Sequence, residues 1–231
     1  MARRAMELGV GSLLAKTDIK SAYRLVPVHP EDRHYLGMEW GGYVYVDGML
    51  PFGLRSAPII FTAIADALEW CIRQTGVDDV YHYLDDYVIL GPPDTGICQW
   101  FLDILKRVCA HLGVPLAPGK TEGPSSRITL LGIVIDTVLR ELSLPQEKMD
   151  RLLTAVRQWK SKKFCTRREL ESLIGSLHHA CKVIRPGRSS LSIAKKPHHF
   201  IRSLSLIWLG GQHSQRVGMV RVSLSTLSRK K

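Results

Sequence analysis

Three carboxylates occupy positions where their chemistry is out of place. In YHYLDDYVILG, residues 81–91, Asp85 and Asp86 sit side by side inside a run of Tyr, Val, Ile and Leu. Those neighbours favour a half-buried pleated strand, whereas Asp is depleted there. A third acid, Asp18, ends the apolar run LLAKTDI (13–19) in much the same way. Two readings of the Asp pair are open: a hairpin turn, or two carboxylates held together to bind something strongly positive. Strand ends of one sheet can lie side by side, and three carboxylates converging on one edge need a counter-ion. Oxygen-only ligands favour Mg²⁺ or Mn²⁺ over zinc. Two such ions about 3.5 to 4 Å apart clamp the attacking and leaving oxygens of a phosphoryl displacement.

The elements that would position these acids follow from pattern. Residues 13–19 read as a strand and are followed by a loop with Pro27 and Pro30. YLGMEW and YVYVDG, joined by Gly41-Gly42, form a hairpin, since Gly-Gly supplies the positive φ of a tight turn. From Ser56 to Gly76 apolar residues recur at helical spacing, with a cap expected at each end. A strand pair over 79–91 then carries Asp85 and Asp86 near its bend. Residues 95–112 read as an amphipathic helix stopped by Gly113 and Pro115, and RITLLGIVID with VLRELSL as a further hairpin. After Pro145 the pattern is helical: QEKMDRLLTAVRQWKSKK, then TRRELESLIGSLHHACKV, the latter opening on the capping box Thr166-x-x-Glu169.

The chain has 231 residues, 45% of them hydrophobic and 23% charged, which suits a globular protein with a real core. No apolar run approaches the roughly 18–20 residues that span a bilayer, the N-terminus reads as no signal peptide, and an intracellular setting is expected. Five cysteines without a C-x-x-C pair argue against a disulfide framework or a zinc site. Charge is uneven. Residues 1–145 carry 13 Lys and Arg against 17 Asp and Glu, a net of −4; residues 146–231 carry 19 against 4, a net of +15. An acidic part beside a basic part suggests contact with a polyanion. The His178-His179 and His198-His199 pairs lie on that basic part and read as solvent or phosphate contacts, not as metal ligands.

Five segments in order resemble the motifs of reverse transcriptases. DIKSAY (18–23) is similar to the first palm motif, LPFGLRSAP (50–58) to the second, YLDD (83–86) to the Y-x-D-D signature, GVPLAPGKTE (113–122) to the fourth, and LLGIVID (130–136) to the primer-grip hairpin. DIKSAYRLVPVHPEDR together with RRELESLIGSLHHACKVIRPGR looks most like the DIRS-type, tyrosine-recombinase retrotransposons.

The resemblance implies an α/β (α+β) fold: a palm whose antiparallel sheet packs on helices, spanning 1–145 with the fingers largely missing, then a helical thumb at 146–195 and a basic, poorly ordered tail at 196–231. It implies that Asp18, Asp85 and Asp86 bind two Mg²⁺ ions (or Mn²⁺), with the Ile19 carbonyl completing one shell. Tyr23 would exclude a ribose 2′-hydroxyl, with a plain core tyrosine as the alternative. Phe52 and Gly53 would lie beside nucleotide and template. Lys120 would protonate or screen the leaving pyrophosphate, unless it is an ordinary loop lysine. Leu131 and Gly132 would hold the primer. The implied activity is RNA-directed DNA synthesis, and the implied partners are an RNA template, a DNA primer or RNA–DNA duplex, deoxynucleoside triphosphates and other retroelement proteins. A catalytically inactive nucleic-acid-binding remnant is the alternative. A metal-dependent nuclease fits less well, because it leaves Tyr23 and the L-P-x-G turn without a task.

Overall fold

The computed structural model describes residues 1–162, 165–184 and 222–223. In chain order the elements are α1 (Ala2–Glu7), β1 (Leu13–Asp18), β2 (Gly37–Trp40), β3 (Tyr43–Val46), α2 (Ala57–Arg73), β4 (Val80–Tyr83), β5 (Asp86–Gly91), α3 (Ile97–His111), β6 (Glu122–Ser125), β7 (Arg127–Leu130), β8 (Ile133–Asp136), β9 (Glu141–Ser143), α4 (Gln146–Ser161), α5 (Arg167–Ala180) and β10 (Val222–Ser223). They form two compact units. One contains Met1 and residues 11–126, the other residues 2–10 and those from Arg127 onward.

The first unit is built on an antiparallel sheet of order β4-β5-β1-β6. Strand alternation sorts its side chains into two sets. Ala15 and Ile19 of the first chain segment, with Tyr87 and Ile89 of β5, pack with Phe61, Ala65, Leu68 and Ile72 of α2 and Phe101, Leu102 and Leu105 of α3. The alternate positions, Lys16 and Asp18 on β1 and Asp86 and Val88 on β5, therefore lie on the face away from those helices. Tyr87 fastens the buried side: its hydroxyl donates to the Ala65 carbonyl at 2.9 Å. The mixed α/β expectation, antiparallel strands with helices 56–75 and 95–112 packed against them, is met. So is the β2–β3 hairpin, whose turn residues Gly41 and Gly42 take φ of 60° and 79°.

Two readings need correction. Ser56 caps nothing: it has φ −84°, ψ −15° and makes no side-chain bond to the α2 amides, while Pro58 sits in the first turn, where a missing N–H costs little. RITLLGIVID is not one arm of a hairpin but two strands, because Leu131 and Gly132 turn the chain at φ 48° and 72°. Segment 122–125, which pattern left unassigned, forms strand β6 on the edge of the Asp18 sheet. Gly123 makes that approach possible. It has φ +91°, and a Cβ there would run into the Leu14 carbonyl and stand 2.9 Å from Ala15 Cα.

The second unit carries a sheet of order β10-β9-β8-β7. Leu152, Val156 and Trp159 of α4 and Leu173, Leu177 and Ala180 of α5 share one core with Leu144, Val183 and Ile184. The expected capping box is formed, the Glu169 amide donating to Thr166 Oγ1 at 3.3 Å and the Thr166 amide to Glu169 Oε2 at 2.9 Å. The division of contacts falls at 126–127, ahead of the composition change at 145. Of the basic tail at 196–231, including His198 and His199, all but the two residues of β10 lie outside the described residues.

Candidate polymerase site

The register of two strands brings the distant acids together. β1 and β5 pair antiparallel with Asp18 directly opposite Asp86, and directly opposed residues have Cβ atoms about 4.5–5.5 Å apart. Asp85 stands just ahead of β5, in the two-residue turn that joins it to β4, where Leu84 adopts φ 56°. The turn reading thus holds for Asp85, while Asp86 opens β5 opposite Asp18. The turn is also tied to β1, since the Ile19 amide donates to the Asp85 carbonyl at 3.0 Å. That bond uses Ile19's amide and leaves its carbonyl oxygen outside the contact.

The crowding has an electrostatic signature. Burial pushes the Asp86 carboxyl above its ordinary pKa, the Asp85 and Asp18 charges push it further, and Lys16 and Lys120 oppose the rise. Lys120 reaches the cluster directly: its Nζ lies 2.9 Å from Asp18 Oδ2. That carboxylate raises the ammonium's own pKa. The loop bearing Lys120 is anchored beside it, with the Ala117 amide on the Asp18 carbonyl at 2.8 Å and Thr17 Oγ1 2.9 Å from Thr121 Oγ1. In donor chemistry the site suits a hard divalent cation: its side-chain donors are all oxygen, and three carboxylates share one lysine ion pair. In placement it is incomplete. Among the described residues no three His, Cys, Asp or Glu side chains are arranged to hold a metal ion, and an ammonium stands on Asp18.

Tyr23, Phe52 and Gly53 also converge. Tyr23 lies in a short 3-10 turn, Ala22–Leu25. Its ring centroid is 5.2 Å from that of Phe52 and 5.7 Å from that of Phe61, the latter edge-on. Phe61 is 1% exposed and fixes the Tyr23 ring from behind, whereas Phe52 is 72% exposed. Tyr23 is therefore half-buried, packed on the core through Phe61 and against the exposed Phe52 ring. Gly53 has φ +89° with open space over its Cα. Arg33, with no assigned task, donates through Nε to the Val28 carbonyl at 3.0 Å.

Leu131 and Gly132 form the β7–β8 turn of the second unit, and they bring in His179 and a residue that pattern did not flag, Lys148. His179 Nε2 lies 3.0 Å from the Leu131 carbonyl, and Lys148 Nζ folds over Gly132 so closely that a Cβ there would collide with it. His179 thus makes a backbone contact, beyond the solvent or phosphate contact read from sequence. Only the i, i+4 face shared by Leu173, Leu177 and Cys181 hinted at which way α5 turns its other residues.

Similar proteins fit this geometry. Chain residues 3–135 match the family model described as reverse transcriptase (RNA-dependent DNA polymerase). The Transposon Tf2-3 polyprotein of Schizosaccharomyces pombe is 26% identical over 181 residues, which make up 78% of this chain and 13% of the polyprotein. Tf2-7 of the same yeast is 25% identical over the same shares. This chain therefore spans about an eighth of those relatives' length. Among solved structures, the foamy viral protease-reverse transcriptase in complex with RNA/DNA hybrid superposes with a TM-score of 0.62 at 17% identity, over 85% of this chain and 27% of that one. A foamy viral form in complex with double-stranded DNA gives 0.63 at 17% identity, over 88% and 37%. No helix among the described residues is long and apolar enough to cross a membrane. With Asp18 opposite Asp86 across β1 and β5 and all three acids inside the matched span, this chain belongs to the reverse transcriptase (RNA-dependent DNA polymerase) family.

Proposed function

We propose that this chain is the polymerase centre of a retroelement reverse transcriptase, extending a primer 3′-hydroxyl with deoxynucleotides on an RNA template. The observation that carries the reading is the register Asp18 opposite Asp86, with Asp85 held to β1 by the Ile19 amide. Asp18, Asp85 and Asp86, with the Ile19 carbonyl, are the residues that would hold two divalent cations. Bound there, Mg²⁺ would acidify the primer hydroxyl and offset charge growing on the transferred phosphate. Tyr23, braced by Phe61, supplies a rigid edge beside the incoming sugar, where a 2′-hydroxyl would clash. The positive φ and open space at Gly53 let nucleotide or template approach the backbone closely. The Leu131–Gly132 turn supports the primer strand.

The unit carrying Asp18 corresponds to the palm, and the helices from residue 146 begin the thumb. The net charge of +15 on residues 146–231 suits sequence-independent grip on a phosphate backbone. The RNA/DNA hybrid and duplex DNA in the foamy viral structures support the same partners here. The DIRS-type assignment rests on the two stretches DIKSAYRLVPVHPEDR and RRELESLIGSLHHACKVIRPGR. A tyrosine-recombinase reading frame beside the coding locus would support it, and an integrase frame would overturn it.

One observation favours a second reading, a duplex-binding remnant that no longer polymerises: the acids are not arranged to hold a metal, and Lys120 sits on Asp18. Primer extension on an RNA template with Mg²⁺ and deoxynucleotides separates the two. Extension by the chain, abolished in Asp85→Asn, is the expected result. Salt-sensitive duplex binding by both proteins with no extension from either would select the remnant.

A further inference from the structure

The contact between Lys120 and Asp18 has a role of its own in this site. We propose that Lys120 is an internal counter-ion that closes the carboxylate cluster, its ammonium standing on Asp18 until a divalent cation displaces it. The inference rests on the reading that these acids bind such a cation.

Four observations carry it. The Nζ–Oδ2 distance of 2.9 Å is a full charge-assisted hydrogen bond. The two partners differ in freedom: the Lys120 side chain is 64% exposed and the Asp18 side chain 10%. The lysine can swing away, whereas the aspartate is fixed on the last residue of a central strand. The backbone under the lysine is held at the site by the Ala117–Asp18 and Thr17–Thr121 bonds and by the turn in which the Lys120 amide donates to the Ala117 carbonyl at 3.1 Å. A displaced ammonium therefore stays within reach of the site. Finally, among the described residues no three acidic side chains are arranged as ligands, and one of the three acids here is already held by a protein cation.

Two consequences follow. Cation binding must break the Lys120–Asp18 pair, so the pair weakens apparent metal affinity. The freed ammonium then faces whatever anion accompanies the metal, and a triphosphate is the anion this reading supplies. Lys16 provides the control. It bonds Glu122 at 3.0 Å and acts on Asp86 through space, opposing the rise of that carboxyl.

The test is Mn²⁺ binding to the full chain without nucleotide or nucleic acid, with free Mn²⁺ read by electron paramagnetic resonance. Lys120→Gln should bind about two- to fivefold more tightly than the parent chain, the range expected for loss of one partly exposed ion pair. Lys16→Gln should gain less, and Lys120→Arg should restore the parent affinity. Thermal melts should show Lys120→Gln below the parent without metal and level with it at saturating Mn²⁺. Equal affinities of Lys120→Gln and the parent, or equal gains from Lys120→Gln and Lys16→Gln, would overturn the counter-ion role while leaving the metal site standing. Binding by Lys120→Gln alone would support it. Binding by neither protein would remove the metal reading itself.

Discussion

Gly91, the last residue of β5, decides how closely the strand carrying Asp86 can approach α3. A Cβ built on it would stand 2.6 Å from the Cys98 amide nitrogen, 2.7 Å from its Cβ and 2.9 Å from its Cα. Two of these atoms are backbone in the first turn of α3, so no rotamer change relieves them. Reaching ordinary contact at 3.4 Å requires a retreat of about 0.8 Å in a close-packed interior. Overpacking of that kind costs about 1–3 kcal/mol, and rigid backbone on both sides puts Gly91→Ala near the upper end. The lower entropy of the unfolded alanine chain returns about 0.4–1 kcal/mol, so a net loss of about 2 kcal/mol is expected. Gly175 gives the opposite sign. It lies inside α5, a Cβ there meets nothing within 4 Å, and Gly175→Ala should stabilise by about 0.5–1 kcal/mol. Urea titrations followed by circular dichroism would measure both, on midpoints compared at constant slope. A Gly91→Ala chain as stable as the parent would refute the packing of β5 on α3 described above.

Tyr87→Phe removes the bond to the Ala65 carbonyl, which keeps its place in the α2 ladder; it should cost about 0.5–1.5 kcal/mol in the same titration. Because burial first, and then Asp85 and Asp18, raise the Asp86 pKa, Asp86 stabilises the metal-free fold below its unfolded pKa. That contribution is lost as pH rises through the folded value. Metal-free Asp86→Asn should therefore melt above the parent at pH 7, with the gap narrowing toward pH 4; a gap constant with pH would contradict this. Cys98 and Cys109 are buried, and burial pushes both thiols up to about 11, while Cys165 is exposed. Iodoacetamide at pH 8 should mark Cys165 first, as read by peptide mass spectrometry.

The elements that could be read from sequence are those whose pattern is local. An apolar run with a terminal acid marked β1, the doubled Asp between apolar runs marked the β4–β5 turn, and Gly41-Gly42 marked the β2–β3 turn. Thr166 and Glu169 marked the start of α5 because a capping box needs only four residues. What escaped depends on partners far along the chain. β6 contains Gly123 and Pro124, residues that argue against a strand, and it forms because β1 offers an open edge at which only a glycine fits. The β7–β8 turn uses Leu131 in a backbone region where leucine is uncommon, so no turn signal announced it. Asp18 and Asp86 could be suspected of meeting only because each ends a strand; their register comes from pairing. The Lys120–Asp18 contact joins positions 102 residues apart, and nothing in either local sequence specifies it.

The central claim is that β1 and β5 bring Asp18, Asp85 and Asp86 together as the metal-binding centre of a polymerase. Anomalous X-ray scattering from crystals of the full chain soaked in Mn²⁺ tests it most directly. The account predicts manganese peaks between Asp18 and the Asp85–Asp86 pair, with the Lys120 ammonium drawn off Asp18. Saturating Mn²⁺ with no peak at these carboxylates, or with its peaks elsewhere on the chain, would contradict it.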